Sequence, residues 1–250
     1  MTVQEYFRAG ELKQAIQALG SELRDRPSDV QRRTFLFELL CFAGEYGRAE
    51  KQLTILADSS QDAQVGGLLY RSALVAERKR QDFFETKQYE SLAGEAVSSP
   101  RGKLNGEPFE SLEDADPRIG PRFEVFVAGE YLWLPFKNVA TLEMKPPKLL
   151  RDLLWASADV TGSSAMQGKD FGEIVLPVLY PFSARHESDS VKLGRETAWT
   201  GDVPFGQKLF LVDGEKVVTF LEIRTLEFED AGAAEISGEI PAEASASDET

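Results

Sequence analysis

The N-terminal part of the chain contains an internal repeat with an offset of 34 residues. Residues 9–12 (AGEL), with Ala15 and Leu19, recur as residues 43–46 (AGEY), with Ala49 and Leu53. A period of 34 residues is typical of the tetratricopeptide repeat (TPR), a pair of packed helices. The glycines fit the turns where helices end, and the alanines are small where the paired helix must come close. We therefore predict a TPR-like helical domain over residues 1–85.

Apolar residues at helical spacing place five helices in this domain, at residues 3–9, 12–25, 29–42, 46–57 and 62–84. The charged end of the fifth helix, residues 77–80 (ERKR), is expected to face solvent. In a TPR stack the first helix of each pair lines a concave groove that holds peptides. The predicted partner-binding residues of this groove, on the third and fifth helices, are Gln31, Thr34, Glu38, Val65, Leu68 and Ser72.

The second half of the chain consists of short apolar and alternating runs, which are typical of β-strands. Residues 123–136 (FEVFVAGEYLWLPF) read as two strands joined by a turn at residues 128–130. Further extended segments follow at residues 139–144, 156–161, 172–178, 208–212 and 216–228, with a helical turn near residues 149–155. Short strands separated by glycine and proline predict a β-rich, barrel-like domain over residues 106–229. Residues 86–105 are predicted to be a linker, and residues 230–250 a disordered acidic tail.

The composition argues against several classes of function. The formal net charge is −14, so no basic face is expected that could neutralise the phosphates of a nucleic acid. Cys41 and His186 are the one cysteine and the one histidine; they cannot supply a disulfide or a His/Cys metal cluster, and Cys41 is expected to be a small buried residue. Because nucleotide-binding and hydrolase motifs are absent, we expect no cofactor and no metal. No apolar run reaches the ~18 residues of a membrane span and no signal peptide is recognisable, so a cytoplasmic protein is expected.

The loop before residue 123 permits two interpretations. Asp114 and Asp116 with Arg118 form an acid pair beside a cation, which is how a hydrolytic or phosphate site can begin. Alternatively, the carboxylates accept hydrogen bonds from loop amides and Arg118 pairs with one of them, while Gly120 and Pro121 fix the path into the first strand. We favour the second, structural interpretation.

Three tryptophans and one charged pair complete the candidate residues. Arg151 and Asp152, next to a proline pair, are read as a local anchor. Trp155, Trp133 and Trp199 are expected in the core of the β domain. If Trp133 were exposed beside Phe136, these two side chains would instead anchor a bound peptide.

A series of motifs in the β domain resembles one protein family. The motifs are residues 114–121 (DADPRIGP), 129–136 (GEYLWLPF), 146–155 (PPKLLRDLLW), 176–181 (LPVLYP) and 193–199 (LGRETAW). In this order they resemble the type VI secretion accessory proteins known as the ImpE, SciE or TagJ family. Family members carry a further helical segment before the β domain, for which residues 84–105 leave little room, so the helical platform is shorter here.

The resemblance implies a non-enzymatic accessory protein. Such a protein would bind the N-terminal segment of the small contractile-sheath subunit and modulate sheath handling by the AAA+ disassembly ATPase. The residues alone leave two alternatives: an enzyme built on the acid-rich loop 114–121, and a TPR adaptor for an unrelated partner.

Overall fold

Five helices form the first layer of the molecule. The computed structural model describes residues 1–57, 61–92 and 99–229, with the backbone alone described at residues 61–66 and 92. The helices are α1 (Val3–Ala9), α2 (Leu12–Asp25), α3 (Val30–Phe42), α4 (Tyr46–Ala57) and α5 (Gln61–Glu85). Their bounds differ from the predicted ones by at most one residue, and each helix packs against the next. The tail predicted over residues 230–250 lies outside the described residues.

Local capping explains where these helices begin and end. Thr2 and Glu5 form a capping box at the start of α1, and Gly10 ends that helix with a left-handed φ of 79°. Asp29 accepts a hydrogen bond from the backbone amide of Arg32 at 2.9 Å, which caps α3. These are local signals, so the sequence contains enough information to place them.

Thirteen short strands follow. They are β1 (Gly102–Leu104), β2 (Glu107–Phe109), β3 (Leu112–Asp114), β4 (Arg122–Val127), β5 (Glu130–Pro135), β6 (Val139–Met144), β7 (Trp155–Gly162), β8 (Asp170–Pro177), β9 (Thr197–Thr200), β10 (Val203–Gly206), β11 (Leu209–Val212), β12 (Lys216–Thr219) and β13 (Thr225–Phe228). A 3₁₀ turn at Leu150–Leu153 occupies the predicted helical turn, and a one-turn helix, α6 (Asp189–Lys192), precedes β9.

The strands form an open antiparallel sheet, so the barrel-like prediction is wrong. Eight strands run in the order β2-β1-β13-β6-β7-β8-β4-β5, and within the described residues β2 and β5 are free edges that do not pair with each other. A three-stranded sheet, β12-β11-β3, and the β9–β10 hairpin are separate. The molecule is therefore a mixed α and β structure. The sheet does not close into a barrel, and other elements of the chain pack on its faces.

Both faces of β4 are covered by other parts of the chain. Five successive residues, Arg122 to Phe126, are buried, so both faces of this strand are covered. On one face the ring of Phe123 lies 4.5 Å from that of Phe136 and 6.1 Å from that of Phe210 on β11. On the other face, Tyr131 of the neighbouring β5 contacts Phe83 of α5, with 5.3 Å between ring centroids. Helix α5 thus covers this second face of β4 and β5.

Candidate functional site

A buried cluster of charged side chains joins α5 to the β-sheet. The carboxylate of Glu124 accepts hydrogen bonds from Nε and Nη2 of Arg80, at 2.7 and 2.8 Å, and from the hydroxyl of Tyr131 at 2.7 Å. Nζ of Lys208 lies 2.6 Å from Glu124 and 2.7 Å from Asp114. The side chains of both cations and both carboxylates are at most 3% exposed. These four residues are called the charge cluster below.

Burial and charge act in opposite directions on the two carboxylates of the charge cluster. Burial alone would raise the pKa of Glu124, but the charges of Arg80 and Lys208 outweigh it and lower that pKa to about 2. Asp114 has Lys208 as its cation, and here burial prevails and raises the pKa of Asp114 to about 6. Glu124 is therefore firmly ionised, whereas Asp114 binds a proton at a higher pH than a free aspartate does.

The charge cluster offers no room for a substrate. The cavity beside it has a volume of about 30 Å³ and is lined by Arg80, Glu77, Cys41 and Tyr180, among others. Such a volume holds roughly one water molecule. Within the described part of the chain, each buried polar side-chain atom has a hydrogen-bond partner. The arrangement can hold two layers together, but it has no open position at which a reacting group could bind.

The acid-rich loop is built from internal hydrogen bonds. The amide of Asp116 donates to Oδ1 of Asp114 at 2.9 Å, and the amide of Arg118 donates to Oδ1 of Asp116 at 3.0 Å. The guanidinium of Arg118 pairs with the carboxylate of Asp116 at 2.5 Å and lies 5.0 Å from the centre of the Phe84 ring on α5. The loop thereby contacts the end of the same helix that carries Arg80.

Gly120 and Pro121 lead the chain from this loop into β4. Gly120 adopts a left-handed φ of 61°, which glycine tolerates without a steric cost. The carbonyl of Pro121 accepts a hydrogen bond from the amide of Phe136 at 3.1 Å, which joins the start of β4 to the end of β5.

A second contact between the layers centres on Arg151. Its guanidinium lies 3.7 Å from the carboxylate of Glu38 on α3 and 4.7 Å from the ring centre of Tyr70 on α5. Asp152 accepts hydrogen bonds from two backbone amides at 2.8 and 2.9 Å, which fixes the 3₁₀ turn. Trp155 is buried, and its ring lies 6.5 Å from a phenylalanine of α3. This turn docks the sheet onto α3 and α5 together.

Arg195 forms a third contact, at the end of α1. It donates hydrogen bonds to the carbonyls of Phe7 and Arg8, at 2.7 and 3.0 Å. Carbonyls at the end of a helix lack partners within the helix, so a cation there is favourable.

The structure separates the predicted partner-binding residues. Gln31 and Leu68 are exposed, whereas Thr34 and Ser72 are half-buried and Glu38 is buried against Arg151. The side chain of Val65 lies outside the described residues.

The predicted aromatic anchors of the β domain are also apart. Trp133 is half-buried, with its ring 5.2 Å from that of Phe83, and Phe136 is fully buried, with its ring 5.4 Å from that of Phe228. Trp133 and Phe136 lie in different layers and form no shared surface; Trp199, predicted to be core, is 47% exposed.

An apolar strip remains open on α5. Leu68 is 62% exposed and Val75 is 41% exposed, with Ser72 between them at helical spacing. The turn between β4 and β5 borders this strip at Gly129. A Cβ atom added to Gly129 would lie 3.8 Å from the carbonyl oxygen of Ser72 and 3.8 Å from Cγ1 of Val75. We call Leu68, Ser72 and Val75 the α5 strip.

Sequence reasoning missed the charge cluster. The charged end of α5 was expected to face solvent, but Glu77 and Arg80 are both buried. The available signal was local: Ala73, Ala76 and Phe84 lie at helical spacing around these charges, which indicates a buried face.

The described residues contain neither a metal-binding group of side chains nor a membrane-spanning helix. No group of three or more His, Cys, Asp or Glu side chains in the described ranges is placed to hold a metal ion. None of the helices in the described ranges combines the length and apolar character needed to cross a membrane.

Comparisons with known proteins identify similar chains. A family model described as "ImpE protein" matches residues 106–227. The "Type VI secretion system accessory component TagJ" of Pseudomonas aeruginosa is 32% identical over 266 aligned positions, which cover 93% of each chain. A crystal structure of a Vibrio parahaemolyticus protein superimposes with a TM-score of 0.81 at 25% identity, covering 93% of this chain and 99% of that one.

Proposed function

The chain belongs to the ImpE family, and from that premise we propose that it is a non-enzymatic adaptor of a type VI secretion system. It binds the N-terminal segment of the small contractile-sheath subunit and modulates sheath handling by the AAA+ disassembly ATPase in the cytoplasm. The observation that carries this proposal is the similarity to a type VI accessory component along 93% of both chains.

The proposal includes the organisation of the chain. Residues 1–85 are a TPR-like helical domain, residues 86–105 the linker and residues 106–229 the β domain, with an acidic tail after them. The end of this linker, Gly102–Leu104, already forms β1 of the sheet. In a TPR stack α3 and α5 would line the concave side. In this chain the β domain docks on α3 through Arg151 and on α5 through the charge cluster. The partner must therefore bind where those helices remain open.

The α5 strip, which contains the predicted groove residues Leu68 and Ser72, is the partner-binding surface in this proposal. Leu68 and Val75 are exposed and apolar, seven positions apart with the half-buried Ser72 between them, so they lie on one face of α5, along which the apolar face of an amphipathic helix can lie. Gln31 and Thr34 on α3 remain peripheral candidates, whereas the burial of Glu38 and Phe136 suits a supporting role.

A peptide-binding experiment tests both the partner and the surface. A labelled peptide with the first ~20 residues of the small sheath subunit from the same organism is titrated with the full chain, and fluorescence anisotropy is recorded. We expect Leu68→Glu to weaken binding by about tenfold or more, because it places a charge in an apolar contact. Val217→Glu is the matched control, since Val217 is 54% exposed on β12, outside the strip.

The outcomes separate the two parts of the proposal. If the peptide showed no binding at a concentration of the unmodified chain of ~100 μM, the dissociation constant would be weaker than that concentration. This result would contradict the proposal that the sheath subunit is the partner. Equal binding by both variants would keep the partner and reject the α5 strip.

A further inference from the structure

A groove runs along α2, on a different surface from the α5 strip. Its volume is about 680 Å³. One wall consists of α2 side chains at helical spacing, from Leu12 to Arg24; the other is formed by the turn before α4 and by α6. Leu12 and Ile16 are buried and form an apolar floor, whereas Lys13 and Arg24 are exposed at the two ends.

Gly20 leaves the middle of the groove open. Glycine is unfavourable inside a helix compared with alanine, and Gly20 lies within the 14-residue helix α2. An added Cβ there would meet no atom within 4 Å, so packing inside the described chain does not require glycine. A bare backbone facing a groove is suited to the close approach of an occupant.

The groove is basic on an otherwise acidic molecule. Four basic and two acidic residues line it, and both acidic ones are already paired: Glu45 with Arg48, and Asp189 with Lys192 at 2.7 Å. The Arg24 guanidinium donates to a serine hydroxyl at 2.9 Å, and neither it nor the Lys13 ammonium has a carboxylate partner within the described ranges. The backbone amide of Lys13 donates to the Asp189 carboxylate at 3.4 Å. Lys13 and Arg24 are about 16 Å apart along the helix. The groove thus presents two uncompensated positive charges, although the whole chain has a net charge of −14.

We propose that this groove binds the chain's own acidic segment, residues 230–250. This segment contains six acidic residues and no basic one, with Glu235, Glu239 and Glu243 at intervals of four and Ile236 and Ile240 between them. Its carboxylates complement Lys13 and Arg24, and its isoleucines suit the apolar floor of Leu12 and Ile16.

Because residues 230–250 are covalently attached to the β domain, a weak affinity for the groove is enough to occupy it. Glu239 follows Glu229 by ten residues, which can span about 33 Å when extended, so the contact requires the groove to lie within that distance of Glu229. For a segment within reach, the effective concentration is about 1 mM, and a millimolar affinity keeps the groove substantially occupied. This proposal concerns another surface and does not depend on binding of the sheath subunit.

Zero-length carbodiimide cross-linking of the full chain tests the contact. The reagent joins a lysine amine to a carboxylate only when they touch, and mass spectrometry identifies the linked peptides. We expect residues 230–250 to be linked to Lys13 within a single chain, established by mixing isotope-labelled and unlabelled protein. The yield should fall in about 0.5 M sodium chloride, which screens exposed charges.

Variants in the groove separate specific docking from general attraction. Gly20→Trp should abolish the links by filling the groove, and Gly20→Ala should preserve them. Arg24→Gln, an exposed change, should lower the yield by about two- to fivefold, the range that one exposed ion pair spans. The reference lysine is Lys148, which lines another partly basic depression.

Three results would overturn the proposal. The first is links to Lys148 as frequent as those to Lys13, and the second is links only between chains. The third is a Lys13 yield that neither Gly20→Trp nor Arg24→Gln reduces. Thermal unfolding of each variant confirms that the fold is retained, and Arg24→Gln decides the outcome if Gly20→Trp does not fold.

Discussion

Replacing Glu124 with glutamine should destabilise the protein far more than any change of an exposed carboxylate. The substitution keeps the size of the side chain but removes the negative charge that Arg80 and Lys208 share. Both cations would remain buried, with Asp114 as the nearest ionisable partner of Lys208 and Glu77 lying 3.2 Å from Arg80. The perturbation therefore tests whether the charge cluster holds the helical layer on the sheet.

The structure sets the size of the expected effect. Three side chains donate hydrogen bonds to the Glu124 carboxylate over 2.6–2.8 Å, in a region excluded from water. Removing one partner of a buried ion pair costs roughly 3–5 kcal/mol, because it leaves the other charge uncompensated. Since domains have a total free energy of unfolding of about 5–15 kcal/mol, a large part of the stability should be lost.

Urea denaturation, followed by circular dichroism and tryptophan fluorescence, measures this loss. Glu130→Gln is the matched control, because the Glu130 side chain pairs with Lys79 but is 62% exposed, and an exposed pair contributes less than about 1 kcal/mol. If the two variants lost equal free energies of unfolding, the charge cluster would not stabilise the layers and the reasoning would be refuted.

Two further predictions concern pH and backbone geometry. The pKa of Asp114 is raised from 3.8 to about 6 in the folded state, so its contribution to stability is present below pH 3.8 and is lost as the pH rises through 6. Relative to Asp114→Asn, the unmodified chain should therefore lose roughly 3 kcal/mol of unfolding free energy between about pH 4 and pH 7; parallel pH profiles in urea melts would contradict this. Gly44→Ala should be more destabilising than Gly10→Ala in thermal unfolding. Both glycines have left-handed φ angles, which cost alanine about 1–2 kcal/mol, but only at Gly44 would the new Cβ lie 2.8 Å from a neighbouring carbon, that of Ala184. Equal losses would show that Ala184 moves aside freely.

Local signals explain how much of this fold was predictable. The 34-residue repeat, the capping residues and the glycine turns depend on neighbours in sequence, so they predicted the five helices to within one residue. The alternation over residues 123–136 likewise predicted β4 and β5. Barrel closure depends on which strands become edges, and no local pattern contains that information.

The charge cluster was beyond prediction for the same reason. Arg80 and Glu124 are 44 positions apart, and Lys208 immediately precedes β11, late in the chain. A charged residue is by default expected on the surface, because its burial is favourable only with a partner. The partner is supplied by the tertiary structure. The apolar neighbours on α5 could therefore indicate a buried face, but not the carboxylate of Glu124 that makes the burial of Arg80 favourable.

The three contacts between the layers constrain how a partner can bind. Arg80, Arg151 and Arg195 each fix a different helix, or pair of helices, to the β domain through directional contacts. A ligand that entered between the layers would have to separate these pairs and leave buried charges without partners, at a cost of several kcal/mol for the charge cluster alone. Binding to the outer faces requires no such opening and leaves the receptor in its resting conformation. A peptide partner should therefore dock onto the closed molecule, on the α5 strip or another outer surface. In urea denaturation, the difference in free energy of unfolding between Glu124→Gln and the unmodified chain should then be the same with and without the bound peptide.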